Sequence, residues 1–126
     1  MMRLLLHTHV FLWVLAGSAL LRPAARRLIE SADQVGVSAA CLWEIAIKTC
    51  LGKIDADPDE LTAALDASGF IELPVPAAHA TGVAPLPPHH HDPFDRLLIA
   101  QALAEPLKLL TADPVLVQYS GIVVLV

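Results

Sequence analysis

The 126-residue sequence predicts an α/β domain of three layers, with a mainly parallel central sheet flanked by helices. Three observations carry that expectation. Short runs of leucine and β-branched residues alternate with amphipathic helical patterns, and hairpin signals are few. The runs are apolar throughout instead of alternating with polar residues, as strands buried on both faces are. Strands of this kind are joined by right-handed crossovers.

The strand runs are residues 4–6, 35–37, 108–110 and 122–126, and a fifth at 71–75 contains Pro74 and is at best an edge piece. Pro23 begins a helix over 23–31 with Leu28 and Ile29 facing inward and Arg22, Arg26 and Arg27 outward. Ser38 caps a second over 39–51, closed by Gly52. Asp57 and Pro58 begin a third, with Asp59 and Glu60 in its first turn and Gly69 at its close. Asp92 and Pro93 begin a fourth over 93–104, with Phe94, Leu97, Leu98 and Ala102 on one side. Residues 85–91, Pro-Leu-Pro-Pro-His-His-His, form a loop that neither a helix nor a central strand accommodates. No repeat or linker divides the chain, so residues 1–126 are expected to form one domain.

Composition narrows the function. With 56% apolar and 17% charged residues the chain is not disordered, and that apolar surplus on a small domain points to a surface covered by a partner. Eight basic against thirteen acidic side chains give a net charge of −5, which excludes a general basic face for nucleic acid. Cys41 and Cys50 lie nine residues apart in one helical pattern and read as small buried side chains in a reducing cytosol. The N-terminus imitates a signal peptide, but His7, Thr8 and His9 interrupt it, and no apolar run reaches the ~18 residues a spanning helix needs. A cytoplasmic protein without a membrane segment is expected.

In a parallel α/β fold, ligands sit beyond the carboxyl ends of the strands. His7, Glu44, Asp95 and Asp113 follow strand runs or open the helices beside them, and Asp92 lies one turn before Asp95. Carboxylates gathered in one crevice repel one another unless a cation joins them, and oxygen donors suit Mg²⁺ or Mn²⁺. Each residue also has a purely structural reading. Asp92 and Asp95 suit a helix N-terminus, Glu44 and Lys48 are spaced for an ion pair, and Asp113 before Pro114 suits a turn. The run His89, His90, His91 reads as a solvated loop rather than a zinc site, and the Arg22, Arg26, Arg27 cluster as a solvated face. Trp13 and Trp43 read as core or interface anchors.

Four blocks of sequence together resemble the PIN-domain ribonucleases, and among them the VapC-type toxins of type II toxin-antitoxin systems. They are Arg3-Leu-Leu-Leu-His-Thr-His-Val-Phe-Leu-Trp, Val37-Ser-Ala-Ala-Cys-Leu-Trp-Glu-Ile-Ala-Ile-Lys, His91-Asp-Pro-Phe-Asp-Arg-Leu-Leu-Ile-Ala-Gln-Ala and Leu110-Thr-Ala-Asp-Pro. The resemblance implies a PIN-like fold and a metal-dependent endoribonuclease that uses Mg²⁺ or Mn²⁺. It implies Glu44, Asp95 and Asp113 as catalytic metal ligands, Asp92 as an additional acidic residue, and Thr8 as a support for metal-bound water. It also implies an RNA substrate, a homodimer and a cognate antitoxin whose C-terminal segment fills the groove. One departure stands out: the family's first acidic ligand, normally aspartate, is His7 here. The formal charge of the site falls from −4 to −3 and an oxygen donor becomes an imidazole, so weak or absent Mg²⁺-dependent cleavage is expected. The alternative is a silenced homologue that works only by dimerising and binding antitoxin.

Overall fold

The computed structural model describes residues 2–126. Its sheet contains β1 (Arg3–Leu6), β2 (Gln34–Ser38), β3 (Ile71–Leu73), β4 (Lys108–Thr111) and β5 (Val123–Leu125), in the order β3-β2-β1-β4-β5. Every pairing is parallel. In the central strand, Leu5 pairs with Gly36 on one side and Leu109 on the other, and Leu4, Leu5 and Leu6 are fully buried. Three consecutive leucines suit only a strand covered on both faces, and each fully buried leucine contributes roughly 1.5–3 kcal/mol. β3 lies at an edge, as Pro74 requires, because proline offers no N–H to a further ladder.

Six α-helices complete the layers: α1 (Thr8–Ala16), α2 (Pro23–Ser31), α3 (Ala39–Cys50), α4 (Pro58–Ala67), α5 (Ala77–Thr81) and α6 (Pro93–Ala104). Residues Pro114–Gln118 add a turn of 3₁₀ helix. The expected caps form. Ser38 accepts from the Ala40 N–H at 3.1 Å, Asp57 from Asp59 at 2.9 Å, and Asp92 from Phe94 at 2.9 Å and Asp95 at 3.2 Å. Gly52 and Gly69 follow α3 and α4 with φ of 72° and 74°, a left-handed geometry that glycine adopts without strain. The architecture is the three-layer α/β domain that the sequence predicts.

Two helices and two residue readings depart from the sequence analysis. α1 is apolar on nearly every side, so it lacks the periodic stripe that marks a surface helix. α5, at five residues, is too short to show one. Cys41 is buried, but Cys50, at the last turn of α3, is exposed, so only one of the two cysteines is a core side chain. Trp13 packs against the core, whereas Trp43 is 62% exposed and meets Phe94 edge-on at 5.2 Å.

α3 packs against α1, α4 and α6, and α1 also touches β1 and β4. Parallel pairing puts the carboxyl ends of all five strands on one side. α1 starts one residue after β1, and α3 starts immediately after β2. The polar residues at those junctions therefore face a common crevice.

Candidate metal centre

A single residue, His7, joins β1 to α1. Its N–H donates to the Leu110 carbonyl at 2.9 Å, which extends the ladder to β4, and its carbonyl accepts the Phe11 N–H at 3.1 Å, which opens the helix. Held at both ends, the imidazole is 1% exposed and points into the crevice. Its Nε2 donates to Asp95 Oδ1 at 2.6 Å, and its Nδ1 lies 2.7 Å from the Thr111 hydroxyl. Thr111 Oγ1 also accepts the Asp113 N–H at 3.0 Å. One chain of contacts thus runs from Asp113 through Thr111 and His7 to Asp95.

Asp95 owes its place to the α6 cap, where Asp92, one residue before Pro93, fixes the first turn. Its second oxygen, Oδ2, lies 3.0 Å from His90 Nε2, and the same nitrogen lies 3.5 Å from Asp113 Oδ2. Asp113 Oδ1 accepts the Val115 N–H at 3.0 Å, so the expected turn and the approach to the crevice occur together. Burial alone would raise the pKa of Asp95. The hydrogen bond and charge of His7, with His90 and His9, outweigh that and hold the carboxyl below its usual value.

Glu44 is buried on α3 and lies apart from this cluster. Oε1 accepts the Thr8 hydroxyl at 2.6 Å, and Oε2 accepts from Lys48 at 2.8 Å. The hydrogen bond to Glu44 raises the pKa of the Lys48 ammonium, which keeps Lys48 charged. The i,i+4 ion pair expected of Glu44 and Lys48 forms, and the carboxylate is buried all the same. Thr8 bonds directly to Glu44, and Asp92 spends Oδ1 on the helix cap.

Among the described residues, His90, Asp95 and Asp113 form the group whose metal-ligating atoms all lie within 4.8 Å of one another. Two carboxylates at such spacing suit a hard divalent cation such as Mg²⁺ or Mn²⁺, and the His90 ring nitrogen lies beside them. The fold thus gathers Asp95, Asp113 and His7, with Glu44 alongside through Thr8. The histidine run is corrected: its middle member turns inward rather than into solvent. Five hydrogen bonds from Arg96, to the carbonyls of Val83, Leu86, Pro87 and His90 and to the Tyr119 hydroxyl, fold the loop that carries it. No sequence signal marked that turn, because it depends on contacts with Tyr119 and Arg96.

The sequence matches the PIN domain family model over residues 4–122. No curated protein matches the chain significantly. Twelve chains of known structure are similar to it. Among them is a chain from the crystal structure of VapBC2 from Rickettsia felis bound to a DNA fragment from their promoter, with a TM-score of 0.69 and 16% sequence identity. That likeness spans 99% of this chain and 98% of the other, and at such identity it speaks for the fold. Strand order, crevice and matched segment agree: the chain belongs to the PIN domain family.

Proposed function

We propose that this chain is the toxin of a type II toxin-antitoxin pair and a metal-dependent endoribonuclease with diminished Mg²⁺ activity. The observation that carries the reading is the meeting of Asp95 and Asp113 at the carboxyl end of the sheet, brought from α6 and from just beyond β4 to one imidazole. Asp95 and Asp113 would hold the ion, with Glu44 acting beside them through water. A bound divalent ion supplies charge neutralisation at the phosphodiester and a more acidic water. Glu44, with each oxygen accepting one hydrogen bond, keeps lone pairs free to orient water, while Thr8 and Lys48 fix its rotamer. Asp92 supports the reaction by setting the start of α6.

His7 sets the expected limit. It places a neutral or cationic ring where the family has a carboxylate, and it takes Asp95 Oδ1 for itself. The purified chain is expected to cleave structured RNA weakly or not at all in Mg²⁺ and better in Mn²⁺, with EDTA abolishing cleavage. His7→Asp gains Mg²⁺ activity, and Asp95→Asn loses all of it. Full cleavage by the unaltered chain in Mg²⁺ refutes the role given to His7. Silence of His7→Asp with either metal refutes the nuclease reading.

A partner fits the surface as well. Trp43, Ile47 and Leu51 follow one another at four-residue spacing on α3 and its end and are 62%, 36% and 63% exposed, a stripe suited to an apolar antitoxin segment. The VapBC2 neighbour lends the same pairing by analogy. Homodimerisation and a cytoplasmic location belong to this proposal. Among the described residues no helix is long and apolar enough to cross a membrane. A second reading, a silenced homologue that acts only through its partner, draws support from Asp95, whose oxygens each already lie beside an imidazole nitrogen.

A further inference from the structure

Metal-ligating histidines bind through one ring nitrogen and donate the N–H of the other to a carboxylate, carbonyl or water. His90 has the opposite arrangement. Its Nδ1 accepts two backbone N–H groups, from His91 at 2.9 Å and Asp92 at 3.3 Å. A ring whose Nδ1 accepts carries its proton on Nε2. That nitrogen lies 3.0 Å from Asp95 Oδ2 and 3.5 Å from Asp113 Oδ2. It therefore occupies the gap between the two carboxylates where a shared cation would stand.

The ring is held there by more than the carboxylates. The Tyr119 hydroxyl accepts the His90 N–H at 2.8 Å and lies 3.4 Å from the His90 carbonyl. Arg96 donates to the same carbonyl and to Tyr119, and its remaining donors secure the backbone at Val83, Leu86 and Pro87. A guanidinium bonded to four carbonyls of one loop and to the Tyr119 hydroxyl is a brace for that loop, and a brace of this kind fixes what the loop presents.

We propose that His90 is a built-in competitor for the divalent ion. Its Nε2–H takes the ion's place between Asp95 and Asp113, and the ion enters only as the ring withdraws. Arg96 and Tyr119 are positioning residues that set how firmly the ring is seated. The inference rests on the reading of this crevice as a metal centre, and it assigns to the histidine loop control of metal occupancy.

Titration of the purified chain with Mn²⁺, followed by electron paramagnetic resonance of the free ion, tests the inference without recourse to RNA. His90→Ala is expected to bind Mn²⁺ more tightly than the parent, on the order of tenfold, the worth of one hydrogen bond to a charged group. Tyr119→Phe, which loosens the loop and leaves the ring, is expected to tighten binding by less. Two-bond ¹H–¹⁵N spectra of the metal-free chain are expected to show the His90 proton on Nε2. Weaker binding by His90→Ala would make the ring a ligand and overturn the proposal, as would equal affinity. Asp95→Asn separates the two levels. If it loses Mn²⁺ while His90→Ala matches the parent, only the competitor falls. If parent and variants all fail to bind, the metal reading falls with it.

Discussion

Burial pushes the Cys41 thiol from 9.0 up to about 12, since the thiolate would sit among apolar side chains with Glu44 nearby. The folded pKa exceeds the unfolded one, so its contribution to stability is whole below pH 9 and fades as pH climbs toward 12. At pH 8 one thiol, that of exposed Cys50, is expected to react with a thiol reagent in the folded chain, and two in denaturant. Two fast-reacting thiols without denaturant would contradict the burial of Cys41. At the same scale, the acidic residues were legible because strand ends and helix starts mark them in the sequence. The inward turn of His90 was not. It depends on Tyr119, 29 residues away, and on a guanidinium six residues on, and neither contact leaves a trace in a proline-rich loop.

α6 shows how an element serves the centre. Asp92 closes its N-terminus, Pro93 presets its first turn, and Asp95 is delivered to His7 as a result. Asp92→Ala is expected to cost about 1 kcal/mol of unfolding free energy in a urea titration, the usual worth of an N-cap, while Asp92→Asn keeps nearly all of it. Equal losses for the two variants would shift the weight of Asp92 from capping to charge. The helices that the sequence revealed, α2, α3, α4 and α6, are those with a side-chain cap or a proline start. α1 went unread because Val10, Phe11 and their neighbours make it apolar nearly all round, and because its N-cap, His7, makes no side-chain bond to its own helix. Its polar signal was spent across the sheet, on Asp95 and Thr111.

For the whole molecule, the parallel pairing follows from the apolar runs and the crossover connections, so the three-layer class was legible, whereas the strand order β3-β2-β1-β4-β5 left no mark in the sequence. Charge acts at this scale too. With a net charge of −5 and the one lysine beside the crevice tied to Glu44, few cations remain to meet phosphates. RNA affinity measured by fluorescence anisotropy at fixed Mn²⁺ is expected to fall with log salt at a slope no steeper than about −2, since each neutralised phosphate of a single strand adds roughly −0.7. A steep slope would reveal a basic surface that the fold does not suggest. The imidazoles of His7 and His90 bring a last consequence. Carboxylates that carry their own imidazole partners need no ion to tolerate being folded together. On the proposed metal reading, folding and metal uptake are therefore separate events, and unfolding free energy measured in EDTA is expected to match that of the untreated chain.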